Sequence, residues 1–211
     1  MGTGPDRPLE GRTVALLATD GVERAELLEP RRALEEAGAR TLLVAPEPGE
    51  IRAFDHLDPA EPVPVDLGLD GARPDEIDAL VLPGGVANPD RLRTDRRAVA
   101  FVRAFADAGK PLAAICHAPW LLIEAGVARG RTLTSFPSIA TDLANTGAVW
   151  VDREVCVDGP LVTSRRPDDL PAFCAALIEA LRPAAAVPRP GRPPTDLRAC
   201  RSPGAAGARP R

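Results

Sequence analysis

The sequence predicts an α/β fold: a mainly parallel sheet with helices on both faces and one β-hairpin. Three observations carry that expectation. Short, wholly apolar runs such as Val14-Ala15-Leu16-Leu17, Ala79-Leu80-Val81-Leu82 and Leu112-Ala113-Ala114-Ile115 have the character of strands buried on both sides. Amphipathic helical stretches separate them, and that alternation belongs to parallel sheets. With 211 residues and 45% hydrophobic content, the chain is long enough to bury a real core.

The elements follow in order. Thr13 to Ala18 reads as a central strand, with Thr19-Asp20-Gly21 as its loop. A helix begins near Glu23; Pro30 is expected to bend it or start a second helical run, and Gly38 to end it. Thr41 to Ala45 is the second strand. Pro46 to Asp75, rich in Pro, Gly and Asp, is expected to be an irregular or hairpin excursion. Ala79 to Leu82 is a buried strand stopped by Pro83-Gly84-Gly85, and the stretch after it reads as loop. Asp95 to Ala108 is an amphipathic helix with Val99, Val102 and Phe105 facing inward. Lys110 to Ile115 is the strand that delivers Cys116, and Leu121 to Ala125 is helical. Arg131 to Ser135 reads as a strand and Pro137 to Thr146 as a helix, with Pro at its start and Gly147 at its end. Glu154 to Ser164 folds back around Asp158-Gly159 as a β-hairpin, and Pro167 to Arg182 is the closing helix. The organisation expected is a flexible extension over residues 1–11, one α/β domain over 12–182, and a disordered Pro- and Arg-rich tail over 183–211.

Composition excludes several functions. The net charge is −4, but the tail holds six arginines and one acidic residue, so the body is strongly acidic and nucleic acid is not the expected partner. No apolar run reaches the roughly 18 residues of a membrane helix. The N-terminus lacks a signal peptide's apolar stretch, and a cytoplasmic protein is expected. Four dispersed cysteines without a Cys-x-x-Cys pair, and only two histidines, argue against a metal site or a disulfide framework.

Cys116 is the informative residue. It stands where the strand Lys110 to Ile115 gives way to a helix, at the carboxyl edge of the sheet where α/β folds bind ligands. Helix N-terminal amides favour negative charge, so a reactive, partly ionised thiol is expected, with His117 as its proton partner. The competing readings are a small buried hydrophobe at Cys116 and a structural ring at His117. Gly84 and Gly85, free of Cβ, could bring amides to a substrate oxygen and form an oxyanion hole with the amide of His117, or simply make a turn. Glu26 and Glu29 read as solvated helix charges. His56, Cys156, Cys174 and Cys200 read as structural or incidental.

Taken together, Asp78 to Gly85, Ala114 to Trp120, Gly130 to Ser135, Trp150-Val151-Asp152 and Thr163-Ser164-Arg165 resemble the blocks of the PfpI family. That family is the intracellular cysteine peptidase and protein deglycase branch of the class I glutamine amidotransferase-like superfamily. The resemblance runs from about Arg12 to Arg182 and implies a flavodoxin-like three-layer sandwich. It makes Cys116 the nucleophile and His117 its partner, matches Glu23 to the glutamate whose carboxyl approaches the sulfur, and matches Asp90 to an acidic group reaching the histidine from a neighbouring subunit. Glu23 has a rival reading as a helix N-terminal carboxylate, and Asp90 as a turn cap within its own chain. Ala118 departs from the family's frequent Gly.

The implied activity is cysteine-dependent hydrolysis without a cofactor. It would act on small carbonyl compounds such as glyoxal or methylglyoxal, or on glycated protein, with possible peptidase action, in a homodimer or larger homo-oligomer serving stress protection. A glutaminase would need a histidine downstream of the nucleophile, and none follows His117. A non-catalytic stress protein or chaperone sensing oxidants through Cys116 is the alternative.

Overall fold

Backbone hydrogen bonding and burial confirm the alternation. The computed structural model describes residues 7–182. The chain runs through β1 (Thr13–Leu17), β2 (Val22–Glu23), α1 (Arg24–Glu36), β3 (Arg40–Ala45), β4 (Glu50–Asp55), β5 (Asp58–Pro64), β6 (Leu67–Gly68) and β7 (Ala79–Leu82). It continues through α2 (Ala87–Leu92), α3 (Arg96–Asp107), β8 (Leu112–Ile115), α4 (Pro119–Glu124), β9 (Thr132–Leu133) and α5 (Ala140–Asn145). β10 (Val149–Trp150), β11 (Val155–Asp158), β12 (Leu161–Ser164) and α6 (Leu170–Leu181) complete it.

Seven strands form one sheet in the order β11-β12-β8-β7-β1-β3-β6, parallel throughout except at the edge, where β11 pairs antiparallel with β12. That edge pair is the hairpin expected around Asp158-Gly159. Within the 46–75 excursion, β4 and β5 form a hairpin that joins β2 in a small separate sheet, and β6 returns to the edge of the main sheet. Successive side chains of a strand point to opposite faces, so the central strands feed two cores. Ala15, Leu17, Leu80 and Leu82 meet α3 and α4 through Phe105, Val102 and Leu121; Val14, Leu16, Ala79 and Val81 meet α1 and α6 through Leu27, Leu34 and Phe173.

Register positions the site. Leu82 lies beside Ala114, and Ser164 beside Ile115, so three parallel strands end level with one another. The residues that follow, Pro83-Gly84-Gly85, Cys116-His117 and Arg165-Arg166, emerge along one edge of the sheet.

Four local expectations are corrected. Pro30 neither bends α1 into two runs nor restarts it: one helix spans Arg24–Glu36, with Leu27, Pro30 and Leu34 all on its buried face, and packing offsets the missing amide bond. The stretch after Gly85 is the helix α2 rather than a loop. Buried Asn88 holds its start, donating to the carbonyls of Pro83 and Gly84 (2.8 and 3.0 Å) and accepting from the Thr19 amide (2.8 Å). The 131–135 strand shrinks to β9, which pairs with β10 outside the main sheet. Residues 7–11 are not a free arm: Leu9 is fully buried in the α1–α6 core, and its amide donates to the Ala37 carbonyl at 2.9 Å. Residues 1–6 and the 183–211 tail lie outside the described residues.

Leu9→Ala is therefore expected to destabilise the protein by about 2–4 kcal/mol in chemical denaturation, the cost of an internal cavity. A change within about 0.5 kcal/mol, as for ordinary surface positions, would mean that the segment is not part of the core.

Candidate active site

Cys116 follows β8 in a left-handed backbone conformation, with φ of 64°. That region is costly for a residue with a side chain, and such strain persists only where the surroundings hold it. Here the Cys116 amide donates to the Ser164 carbonyl (3.1 Å), and its own carbonyl accepts from the Phe136 amide (2.8 Å). A sharp turn then leads into α4, whose six residues begin at Pro119. The thiol is 7% exposed, at the floor of an open cleft of about 450 Å³.

The carboxyl beside the sulfur belongs to Glu26, not to Glu23. Glu26 lies one helical turn further along α1, is fully buried, and interacts with the Cys116 side chain. Its Oε2 accepts from the Gly84 amide at 3.0 Å; its Oε1 is buried without a hydrogen-bond partner of good geometry. Desolvation is the main reason its pKa rises to about 8. Glu26 is thus held protonated at neutral pH, able to donate toward sulfur. Glu23, the residue before α1, sits instead on the cleft wall, where its Oε2 accepts from the His56 amide (3.0 Å) and lies 3.5 Å from the His56 ring. Reading Glu26 as a solvated charge fails because that position of α1 faces the sheet edge.

The thiol's electrostatics also depart from expectation. Burial first, and the negative charge Glu26 would carry second, push the Cys116 thiol up; the amides of Gly85 and His117 pull the other way. The short α4 does not by itself ionise this cysteine. Its ionisation depends on where the Glu26 proton sits.

His117 Nδ1 lies 3.2 Å from Cys116 Sγ, and Nε2 lies 3.0 Å from Ser138 Oγ. The ring stacks on Phe136 (centroids 4.7 Å apart) and tilts against Trp120. Burial lowers its pKa, so the imidazole is neutral: one nitrogen donates and the other accepts. With Nε2–H donated to Ser138, Nδ1 is free to accept the thiol proton.

The glycines divide the expected oxyanion role. The Gly84 amide is committed to Glu26, while its carbonyl accepts from Asn88 and, at 3.4 Å, from the Glu23 amide. Gly84 is therefore a spacer. A Cβ there would stand 2.5 Å from Cys116 Cβ and 2.8 Å from the Ile115 carbonyl oxygen. Gly85, with φ of 81°, and His117 present the amides that point at the sulfur.

Asp90 is exposed in the first turn of α2 and does not line the cleft. His56 and Leu57, at the β4–β5 tip, do line it, as do Arg166 and Asp168. Cys156 and Cys174 lie elsewhere, on β11 and α6; Cys200 is outside the described residues. No group of three or more His, Cys, Asp or Glu side chains able to hold a metal occurs among the described residues. No helix among them is long and apolar enough to cross a membrane.

The sequence matches the pattern of the DJ-1/PfpI family over residues 12–180. The chain belongs to the DJ-1/PfpI family. It is 42% identical over 169 residues to Deglycase PfpI of Pyrococcus furiosus, covering 80% of this chain and 99% of that protein. It is 44% identical over 163 residues to protein/nucleic acid deglycase 2 of Escherichia coli, covering 77% and 93%. The crystal structure of Drosophila melanogaster DJ-1beta superposes with a TM-score of 0.75 at 28% identity, covering 81% of this chain and 90% of that one.

Within this family member, sequence reasoning missed Glu26, Ser138 and Phe136. A signal for Glu26 was present: it shares its helical face with Leu27, Pro30 and Leu34, and a carboxylate on an apolar face calls for a partner.

Two predictions follow from the geometry. Glu26→Gln should raise the melting temperature at pH 8–9 and change it little near pH 4. A carboxyl raised from 4.5 to about 8 costs nothing while both states are protonated, and its penalty grows as pH rises between those values. An equal effect at both ends of the range would show that Glu26 is not held protonated. In pH-dependent alkylation, Glu26→Leu, which removes the donor, should disturb the Cys116 titration more than Glu26→Gln or Glu23→Gln. Titrations that coincide for all three would remove Glu26 from the thiol's environment.

Proposed function

We propose that this chain is a cysteine hydrolase of the PfpI type that acts on small carbonyl compounds, glyoxal and methylglyoxal adducts or the free dicarbonyls, as a deglycase or glyoxalase-like enzyme. The observation that carries the reading is Cys116 Sγ 3.2 Å from a neutral His117 Nδ1, with the Glu26 carboxyl beside it and two amides converging on it. His117 accepts the thiol proton as sulfur attacks the carbonyl carbon, and Ser138 holds the imidazole by its other nitrogen. Glu26 keeps its proton and hydrogen-bonds the sulfur while it carries charge. The amides of Gly85 and His117 are placed to receive the oxyanion of the resulting hemithioacetal. Transfer of hydrogen from C1 to C2 within that adduct oxidises C1 to a thioester and reduces C2 to an alcohol, and water hydrolyses the thioester to the hydroxy acid and regenerates the thiol. The site is built from donors and acids of the chain itself, so no cofactor enters this scheme. A cleft of about 450 Å³ favours a small substrate or a modified side chain over an extended peptide.

The family resemblance adds a homo-oligomer in which Asp90 of a second copy reaches His117. Both imidazole nitrogens already have partners within the chain, so a second carboxylate would share Nε2 with Ser138 Oγ. The cytoplasm, where thiols stay reduced, is the compartment that suits this chemistry.

Lactate release from methylglyoxal tests the central reading. Cys116→Ser should lose at least about a hundredfold in kcat/KM, and Ser138→Ala should lower kcat more than it raises KM. Full activity in Cys116→Ser would overturn the reading. Mixing inactive Cys116→Ser with inactive Asp90→Ala under subunit exchange tests the shared site: recovered activity supports a carboxylate acting across the interface, and none, with mixed oligomers formed, refutes it.

A further inference from the structure

The cleft above Cys116 contains one permanent cation whose charge no other described residue answers. Arg166 follows β12 directly and lines the same cleft as Cys116, His117 and Gly85. Its neighbour Arg165 is fully used: it bridges Asp152 and Asp169 at 2.6 and 2.8 Å. Arg24 with Asp55 and Arg31 with Asp66 are likewise paired, and the arginines without an ion pair among the described residues, such as Arg40, Arg52, Arg96 and Arg153, are exposed and outside this cleft. Arg166 makes no ion pair and no side-chain hydrogen bond among the described residues. It is nonetheless half-buried, not extended into solvent. Asp168, two residues on, also lines the cleft but is exposed and forms no bridge to it.

A guanidinium is always charged and presents a planar fork of donors that fits carboxylate and phosphate oxygens. Placed half-buried on the wall of a reactive-thiol cleft, without a partner among the described residues, it is arranged to meet a charge brought from outside.

We infer that Arg166 forms an anion subsite beside Cys116, selecting carbonyl substrates or adducts that carry a carboxylate or phosphate group. The inference rests on Cys116 being the reacting group of this cleft, and it specifies the substrate class for that site. The anionic group lies against Arg166 while the carbonyl carbon meets Cys116 Sγ. A carboxylate formed in the reaction would be held by the same fork until release. Glu23, which also lines the cleft and is engaged with the His56 amide, offers an anion no comparable attraction.

The test separates charge recognition from catalysis by alkylating Cys116 in the intact protein with iodoacetate and with iodoacetamide, which differ chiefly in charge. Arg166→Gln should slow iodoacetate by about fivefold or more while leaving iodoacetamide within twofold, and Arg166→Lys should retain most of the iodoacetate rate. Raised salt should narrow the wild-type preference. Protection of Cys116 from iodoacetamide by glycolate assigns a carboxylate, and protection by inorganic phosphate assigns a phosphate. Equal changes with both reagents, no change with either, or protection by neither anion would overturn the subsite. Failure of either reagent to label Cys116 would instead overturn the reactive-cysteine reading beneath it.

Discussion

The site depends on one close approach, the packing of a glycine between a buried acid and a strained cysteine. Gly84 leaves the end of β7 against Cys116 at the end of β8, and its amide holds Glu26 Oε2 at 3.0 Å. No side chain fits at Gly84 without displacing Cys116 or the β8 backbone. The cysteine can adopt φ of 64° because flanking strands and the Phe136 amide fix the peptides on either side of it. Sheet register, helix α1 and the β7 turn thus converge on one sulfur atom.

That convergence sets the chemistry by opposition. Desolvation disfavours charge on both Glu26 and Cys116, and the two compete for whatever negative charge the pocket accepts. Amides from Gly85 and His117 offset part of the cost of charge at sulfur, and the neutral His117 offers the thiol proton a destination. A cysteine held this way is not simply an exposed thiolate; its reactivity is a property of the carboxyl, imidazole and amides together. The same low dielectric that restrains ionisation strengthens these hydrogen bonds once the charge is formed.

Around this floor the cleft walls are assembled from distant segments: the β4–β5 tip, the turn after β7, Phe136 and the strand-to-helix turn after β12. Among the described residues, only the last carries a permanent cation without a partner of its own. The division is physical. The floor needs strict geometry and comes from buried strand ends, whereas the walls decide what is admitted and come from turns.

Sequence alone determined the alternation of strands and helices, because buried parallel strands must be continuously apolar and their covering helices amphipathic. It also determined Cys116 at a strand end, the Gly84-Gly85 turn beside it and the hairpin at Asp158-Gly159. It misassigned Glu23 for Glu26, two acids three residues apart at the start of one helix; only the direction of α1 over the sheet decides which points at sulfur. It took α2 for a loop following Pro83-Gly84-Gly85, although buried Asn88 serves that helix from inside. It freed Leu9, whose burial arises from contacts with α1 and α6 far along the chain. Tertiary structure alone decided the state of the thiol, since a pKa reflects burial and neighbours in space, and neither is written in the order of residues.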